Sequence, residues 1–114
     1  MTRTHTISLE GKTAFVSGAS KGIGVAIADT LARAGADLAL TARNQEELEQ
    51  TAKAARKVGA RVWTRTAEMA DADDVKAVGE ATLAEFGNID ILVNNAGLTI
   101  PQTILDTDIQ NFHT

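Results

Sequence analysis

Thr13-Ala14-Phe15-Val16-Ser17-Gly18-Ala19-Ser20-Lys21-Gly22-Ile23-Gly24 is a short apolar run that breaks into three closely spaced glycines. Thr13 to Ser17 reads as a buried strand, ended by Gly18. From Gly22 onward the apolar positions Ile23, Ile27 and Leu31 recur every fourth residue, one face of a helix, and Gly35 stops it. A strand therefore turns directly into a helix, and each glycine in the turn has a steric purpose. Gly18 lets the chain leave the sheet sharply. Gly22 lets the backbone approach a ligand without a Cβ in the way, and Gly24 lets the helix pack close to the strand.

Outward from this turn the two hydrophobic periods keep alternating. Asp37 to Thr41 reads as a second strand. Gln45 to Lys57 is rich in helix formers, and Glu49 stands four residues before Lys53, the favourable order for a helical ion pair. Gly59 ends that helix, and Arg61 to Arg65 alternates as a strand around Val62 and Trp63, which read as core. Asp73 and Asp74 open a further helix, where negative charge suits the dipole. Val75, Val78 and Phe86 mark its inner side, and Gly87 stops it. Ile89 to Val93 is nearly all apolar, as in a strand covered on both faces. Strands joined by helical crossovers imply a parallel sheet with helices on both faces, hence an α/β fold. No repeat or linker interrupts the pattern, so the chain reads as one domain.

Composition closes off other classes. The 114 residues carry a net charge of −4, which argues against an electrostatic nucleic-acid or anionic-membrane binder. There is no cysteine, so disulfide scaffolds and thiolate metal sites are excluded. No apolar run approaches the roughly 20 residues of a membrane span. Met1 to Thr6 is polar and lacks the apolar stretch of a secretory signal, so a cytoplasmic location is the default expectation.

A glycine-rich turn that follows a strand and opens a helix is a phosphate cradle. The free N–H groups of the helix's first turn face the anion, and the helix dipole favours it. Three glycines can also be no more than a tight corner, but this spacing begins a βαβ unit, the setting that gives the motif its meaning. It is not a Walker loop, because Lys21 precedes the second glycine and no Gly-Lys-Ser/Thr follows.

The end of the second strand selects the nucleotide. A dinucleotide fold usually places a carboxylate there to hold the adenosine ribose hydroxyls. This window reads Leu40-Thr41-Ala42-Arg43-Asn44, with no acid. Arg43 from one side and Lys21 from the other would welcome a 2′-phosphate through charge-assisted bonds, so NADP(H) is expected over NAD(H). The plainer alternative is that both cations are solvated surface residues.

Leu9-Glu10-Gly11-Lys12, the Gly-x-x-x-Gly-Ile-Gly turn at Gly18 to Gly24, and Asp90-Ile91-Leu92-Val93-Asn94-Asn95-Ala96-Gly97 together resemble the short-chain dehydrogenase/reductases along essentially the whole chain. Within that family the chain is most similar to 3-oxoacyl-carrier-protein reductases and sugar or polyol dehydrogenases. The resemblance implies a Rossmann-like, doubly wound parallel sheet, truncated after about the fourth strand, with residues 1–114 as the N-terminal part of a dinucleotide-binding domain. It implies that Ser20 touches the phosphates and Ile23 the nicotinamide side. Glu68 and Met69 stand where the family commonly has Asp-Val beside the adenine, and the change to Glu departs from that pattern. Asn95, Ala96 and Gly97 would line the adenosine-ribose side, while Asn94 ties the central strands together. A polar strand end that satisfies backbone groups is the alternative role for both asparagines.

The family's reaction is hydride transfer between nicotinamide and a carbonyl or alcohol carbon of a small molecule. The resemblance places its serine, its acid/base tyrosine and its lysine beyond Asn-Asn-Ala-Gly, and this chain has no tyrosine at all. His5, His113, Asp106 and Asp108 have no convincing acid/base setting, and Phe112 stands where the family often has an aromatic residue. The 114 residues alone are therefore expected to be inactive. The fourth strand would sit at the centre of a complete sheet, so its uncovered flank implies a longer enzyme or a homo-oligomer. A non-catalytic nucleotide-binding or interaction module that covers this edge by oligomerising is the second reading.

Overall fold

The computed structural model describes residues 8–95. Strand and helix alternate as β1 (Thr13–Ser17), α1 (Gly22–Arg33), β2 (Asp37–Ala42), α2 (Gln45–Lys57), β3 (Val62–Thr66), α3 (Ala72–Phe86) and β4 (Ile91–Asn94). All pairings are parallel, in the order β3-β2-β1-β4. The strand that carries the glycine turn thus lies between β2 and β4, where the order of winding reverses. The expected parallel α/β sheet is present, and its topology is Rossmann-like.

The period-2 alternation of the strands sorts their side chains into two layers. Ala14, Val16, Leu38 and Leu40 face α1 and α2, which present Ala28, Ala32, Leu48, Ala52 and Ala55. Phe15 and Ala39 face the opposite way, toward Val75 and Val78 of α3, with Met69 and Ile89 beside them. Leu38, Leu40 and Phe15 are at most 1% exposed. Burying a side chain of that size stabilises the fold by about 1.5–3 kcal/mol.

The helices start and stop for local reasons. Asn44 accepts from the Glu47 N–H at 3.0 Å to cap α2. Asp71 caps α3 by accepting from the N–H groups of Asp73 and Asp74. Gly87 closes α3 with a left-handed backbone. At the sheet's lower edge the Asp90 carboxylate accepts from the Thr13 N–H at 2.9 Å, and the Asp90 N–H donates to the Thr13 carbonyl at 2.8 Å. That pair sets the register of β4 on β1.

Four expectations are corrected. The buried stripe of α1 is Gly24, Ala28 and Ala32, not the bulkier residues one position earlier. Ile27 and Leu31 do pack against that core, partly buried at its margin, while Ile23 is 70% exposed, because small residues let the helix axis approach the sheet. Glu49 reaches Arg56 at 3.5 Å and accepts from the Thr64 hydroxyl at 2.6 Å, so a partner on β3 replaces the expected pairing with Lys53. Strand β3 runs Val62–Thr66, one residue later than expected; the Arg61 carbonyl still accepts from the Leu38 N–H at 2.8 Å, while its side chain bonds Glu85 and lies 4.5 Å over the Phe86 ring. Strand β4 begins at Ile91, and Ile91 to Val93 are half-buried rather than covered on both faces.

Candidate functional site

The carboxyl ends of the strands open onto a cavity of about 430 Å³. Open parallel sheets bind ligands at this end, where the winding order reverses. The β1–α1 turn supplies Gly18, Ser20 and Lys21 to the wall. The end of β2 and the start of α2 supply Ala42, Arg43, Asn44 and Glu47. Ala67, Glu68 and Met69 follow β3, and Asn95 follows β4.

The turn has the geometry its glycines suggest. Gly18 and Gly22 sit at φ of 65° and 55°, a left-handed backbone that costs an L side chain about 1–2 kcal/mol. A Cβ built at Gly22 meets nothing within 4 Å among the described residues, so the protein itself demands glycine there for backbone conformation. Gly24 is different. A Cβ there would lie 2.0 Å from the Gly18 carbonyl oxygen and 2.8 Å from Asn95 Nδ2. The close approach is therefore to the end of β1 rather than to its body.

Helix α1 begins without a side-chain cap and without an acidic residue in its first turn. Both other helices have a capping side chain and two acids there. The Gly24 N–H turns back to the Lys21 carbonyl at 3.1 Å, and no side chain caps the N–H groups that precede it, which suits them to water or to an anion. Two cations flank the same cavity. Lys21 Nζ stands 3.9 Å from Glu47 Oε2, and Arg43 Nη1 stands 3.7 Å from Glu68 Oε2. The cationic side chains are 77% and 81% exposed, and ion pairs of that kind contribute only about 0–1 kcal/mol. Either cation can swing to a stronger anion at small cost. A bare helix start, a glycine cradle and two mobile cations form a donor set that suits a diphosphate-bearing ligand.

Ser17, just before the cavity-lining Gly18, ties the end of β1 to β4. Its hydroxyl stands 3.4 Å from the Val93 carbonyl and 3.2 Å from Asn94 Oδ1 as donor, and it accepts from the Asn95 N–H at 3.1 Å. Asn94 thus joins β4 to β1, as expected, and Asn95 lines the cavity while Nδ2 donates to the Gly18 carbonyl at 3.4 Å. Glu68 is also held from within its own turn, where the Ala70 N–H donates to its Oε1 at 3.1 Å. Met69 is 4% exposed and belongs to the α3 layer as well as to the cavity wall.

Of the residues singled out in the sequence, Gly18, Ser20, Lys21, Arg43, Glu68, Met69 and Asn95 converge on this cavity. Gly22, Ile23 and Gly24 are not part of its wall. Ala96 and Gly97 lie outside the described residues, as do His5, Asp106, Asp108, Phe112 and His113. Glu47 was not expected, nor were Ala42, Asn44 and Ala67. The only signal for Glu47 was its place one turn after Arg43, at the start of a helix aimed at the same edge. Among the described residues no group of His, Asp and Glu side chains could hold a metal ion. No helix there is long and apolar enough to cross a membrane.

A family model described as short chain dehydrogenase matches residues 12–114. An uncharacterized oxidoreductase of Staphylococcus saprophyticus is 39% identical over 105 residues, covering 91% of this chain and 45% of the relative. The 3-oxoacyl-[acyl-carrier-protein] reductase of Staphylococcus aureus is 42% identical over 89 residues, covering 77% of this chain and 36% of that protein. The solved L-sorbose reductase of Gluconobacter frateurii, complexed with NADPH and L-sorbose, superposes with a TM-score of 0.78 at 40% identity, covering 82% of this chain and 36% of that one. The chain thus spans less than half the length of these relatives. With the family model matching nearly the whole chain, from Lys12 to Thr114, the chain belongs to the short chain dehydrogenase family.

Proposed function

We propose that this chain is the cofactor-binding part of an oxidoreductase that prefers NADP(H) to NAD(H) and interconverts a carbonyl and an alcohol on a small molecule. The observation that carries this reading is the cavity between the glycine turn and Arg43, at the uncapped start of α1. The L-sorbose reductase complexed with NADPH supports the same cofactor class. When bound, the nicotinamide supplies the hydride donor or acceptor.

The chain's own residues bind and orient. The first-turn N–H groups of α1 and the Ser20 hydroxyl would hold the diphosphate. Lys21 and Arg43 would hold the 2′-phosphate, a bidentate task that suits the guanidinium. Glu68 and Met69 would border the adenine, and Asn95 with Ala96 and Gly97 the ribose. Ile23, 70% exposed at the start of α1, would face the nicotinamide half. With no tyrosine to move a proton, the 114 residues alone would turn over nothing. We place the protein in the cytoplasm on its composition.

Calorimetric titration of the folded chain with NADP⁺ and NAD⁺ tests the reading. Tighter binding of NADP⁺ supports it, and no heat with either nucleotide overturns it. Hydride transfer by the mass-verified 114-residue chain would refute the inactivity. The half-buried Ile91 to Val93 favour a second reading, a non-catalytic nucleotide-binding or interaction module that covers this strand with another copy. Sedimentation separates the two, since that module requires a stable dimer lost on substituting Ile91, Leu92 or Ile104, the last of which lies outside the described residues.

A further inference from the structure

We infer that Glu47 is a specificity-determining residue of the cavity, a built-in counter-charge that holds Lys21 and sets how strongly the site favours a 2′-phosphate over a bare ribose hydroxyl. The inference rests on the proposed nucleotide site and adds to it a residue whose effect opposes that of the cations. Each cation assigned to the phosphate faces its own carboxylate across the cavity, Lys21 with Glu47 and Arg43 with Glu68. The two carboxylates are not equivalent. Glu68 is bound by the Ala70 N–H within its own turn, so one of its oxygens is anchored away from the cation. For the Glu47 carboxylate, Lys21 Nζ at 3.9 Å is the ion-pair partner, while the Glu47 backbone N–H is committed to Asn44. The side chain is 35% exposed, less than half the exposure of its partner, so its charge is screened less than that of a free surface acid.

Geometry ties the two charges to any bound anion. A phosphate oxygen in a charge-assisted bond with Lys21 Nζ stands within about 7 Å of the Glu47 carboxylate for as long as the pair persists. A dianion there meets repulsion that a neutral hydroxyl does not. If Lys21 turns away from Glu47 instead, the carboxylate is left in the cavity wall without its cation. On either path Glu47 weakens binding of the phosphorylated nucleotide and leaves the other nearly untouched. Neighbouring Glu46 shares the same first turn of α2 but is exposed and outside the cavity wall, so the local helix dipole does not distinguish the two glutamates.

The test is calorimetric titration of the full chain and of its Glu47→Gln and Glu46→Gln variants with NADP⁺ and with NAD⁺, alongside thermal melts. Glu47→Gln is expected to tighten NADP⁺ about three- to tenfold, with less gain at high salt. NAD⁺ should stay within about twofold, and Glu46→Gln should change neither. An unchanged or weaker NADP⁺ affinity, or equal gains for both nucleotides, would overturn the role of Glu47 while the nucleotide site stands. Wild-type chain that is folded and binds neither nucleotide would overturn the site and Glu47's role with it.

Discussion

The methyl group that an alanine would carry at position 24 falls 2.0 Å from the carbonyl oxygen of Gly18. Helix α1 is therefore seated against the end of β1 with no room for a side chain at position 24. Helix propensity alone favours alanine over glycine by about 1 kcal/mol. Here the clash has the opposite sign and a larger size. Gly24→Ala is expected to destabilise the fold by about 1–3 kcal/mol, as overpacked sites do. Urea denaturation measures it, and a stabilised variant would show that the turn is looser than this contact implies.

Ser17 is fully buried and serves β4 through both its donor and its acceptor. Removing the hydroxyl leaves the Asn95 N–H without that acceptor. Ser17→Ala should lower stability by about 1–3 kcal/mol. Hydrogen exchange should then rise at Val93 to Asn95 more than at β2, because only the β1–β4 junction loses a bond. Uniform acceleration over the whole sheet would mean that β4 is not the element this hydroxyl holds.

Thr41 presents the reverse case. Its Oγ1 is buried without a hydrogen-bond partner among the described residues, although its carbonyl accepts from the Ala19 N–H at 3.2 Å. An unsatisfied hydroxyl costs about 1–3 kcal/mol on burial. Valine has nearly the same shape and suits a strand. Thr41→Val should leave the chain equally stable or raise its stability by up to about 2 kcal/mol. A clear loss would reveal a bonded water or ligand at that hydroxyl.

Much of this molecule was legible from local pattern. Gln45 to Lys57 is bounded in the sequence as it is in the structure, because a polar cap, acids at the start and cations at the end all agree. Where local and tertiary terms compete, the tertiary term wins. The fourfold spacing of Ile23, Ile27 and Leu31 follows hydropathy, yet the sheet selects Gly24, Ala28 and Ala32 because close approach buries more of the neighbouring strands. Glu49 lies within reach of Lys53 along the helix but takes a hydrogen bond from Thr64 on β3. The cavity was legible only in part. Arg43 and Lys21 stood out as charges at glycine-turn and strand-end positions. Glu47 and Ala67 became neighbours through the β3-β2-β1 order, which brings distant loops together and leaves no periodicity behind.

Arg43 offers the sharpest test of the cofactor assignment. Its guanidinium is 81% exposed, lies 3.7 Å from Glu68 and belongs to the cavity wall. Losing that exposed pair changes stability by less than about 1 kcal/mol, so Arg43→Asp should fold normally. In the site the change is large. A charge-assisted bond of about 1.5–3 kcal/mol disappears, and a carboxylate now faces the 2′-phosphate. NADP⁺ affinity should fall by roughly ten- to a hundredfold, since about 1.4 kcal/mol is a factor of ten. NAD⁺ should lose little or gain, because a carboxylate at the end of β2 can accept from the ribose hydroxyls. Paired titrations of the wild type and the variant read out the ratio directly. Equal losses for the two nucleotides would mean that Arg43 contributes packing or fold rather than recognition of the phosphate, and the preference for NADP(H) would have to come from elsewhere in the cavity.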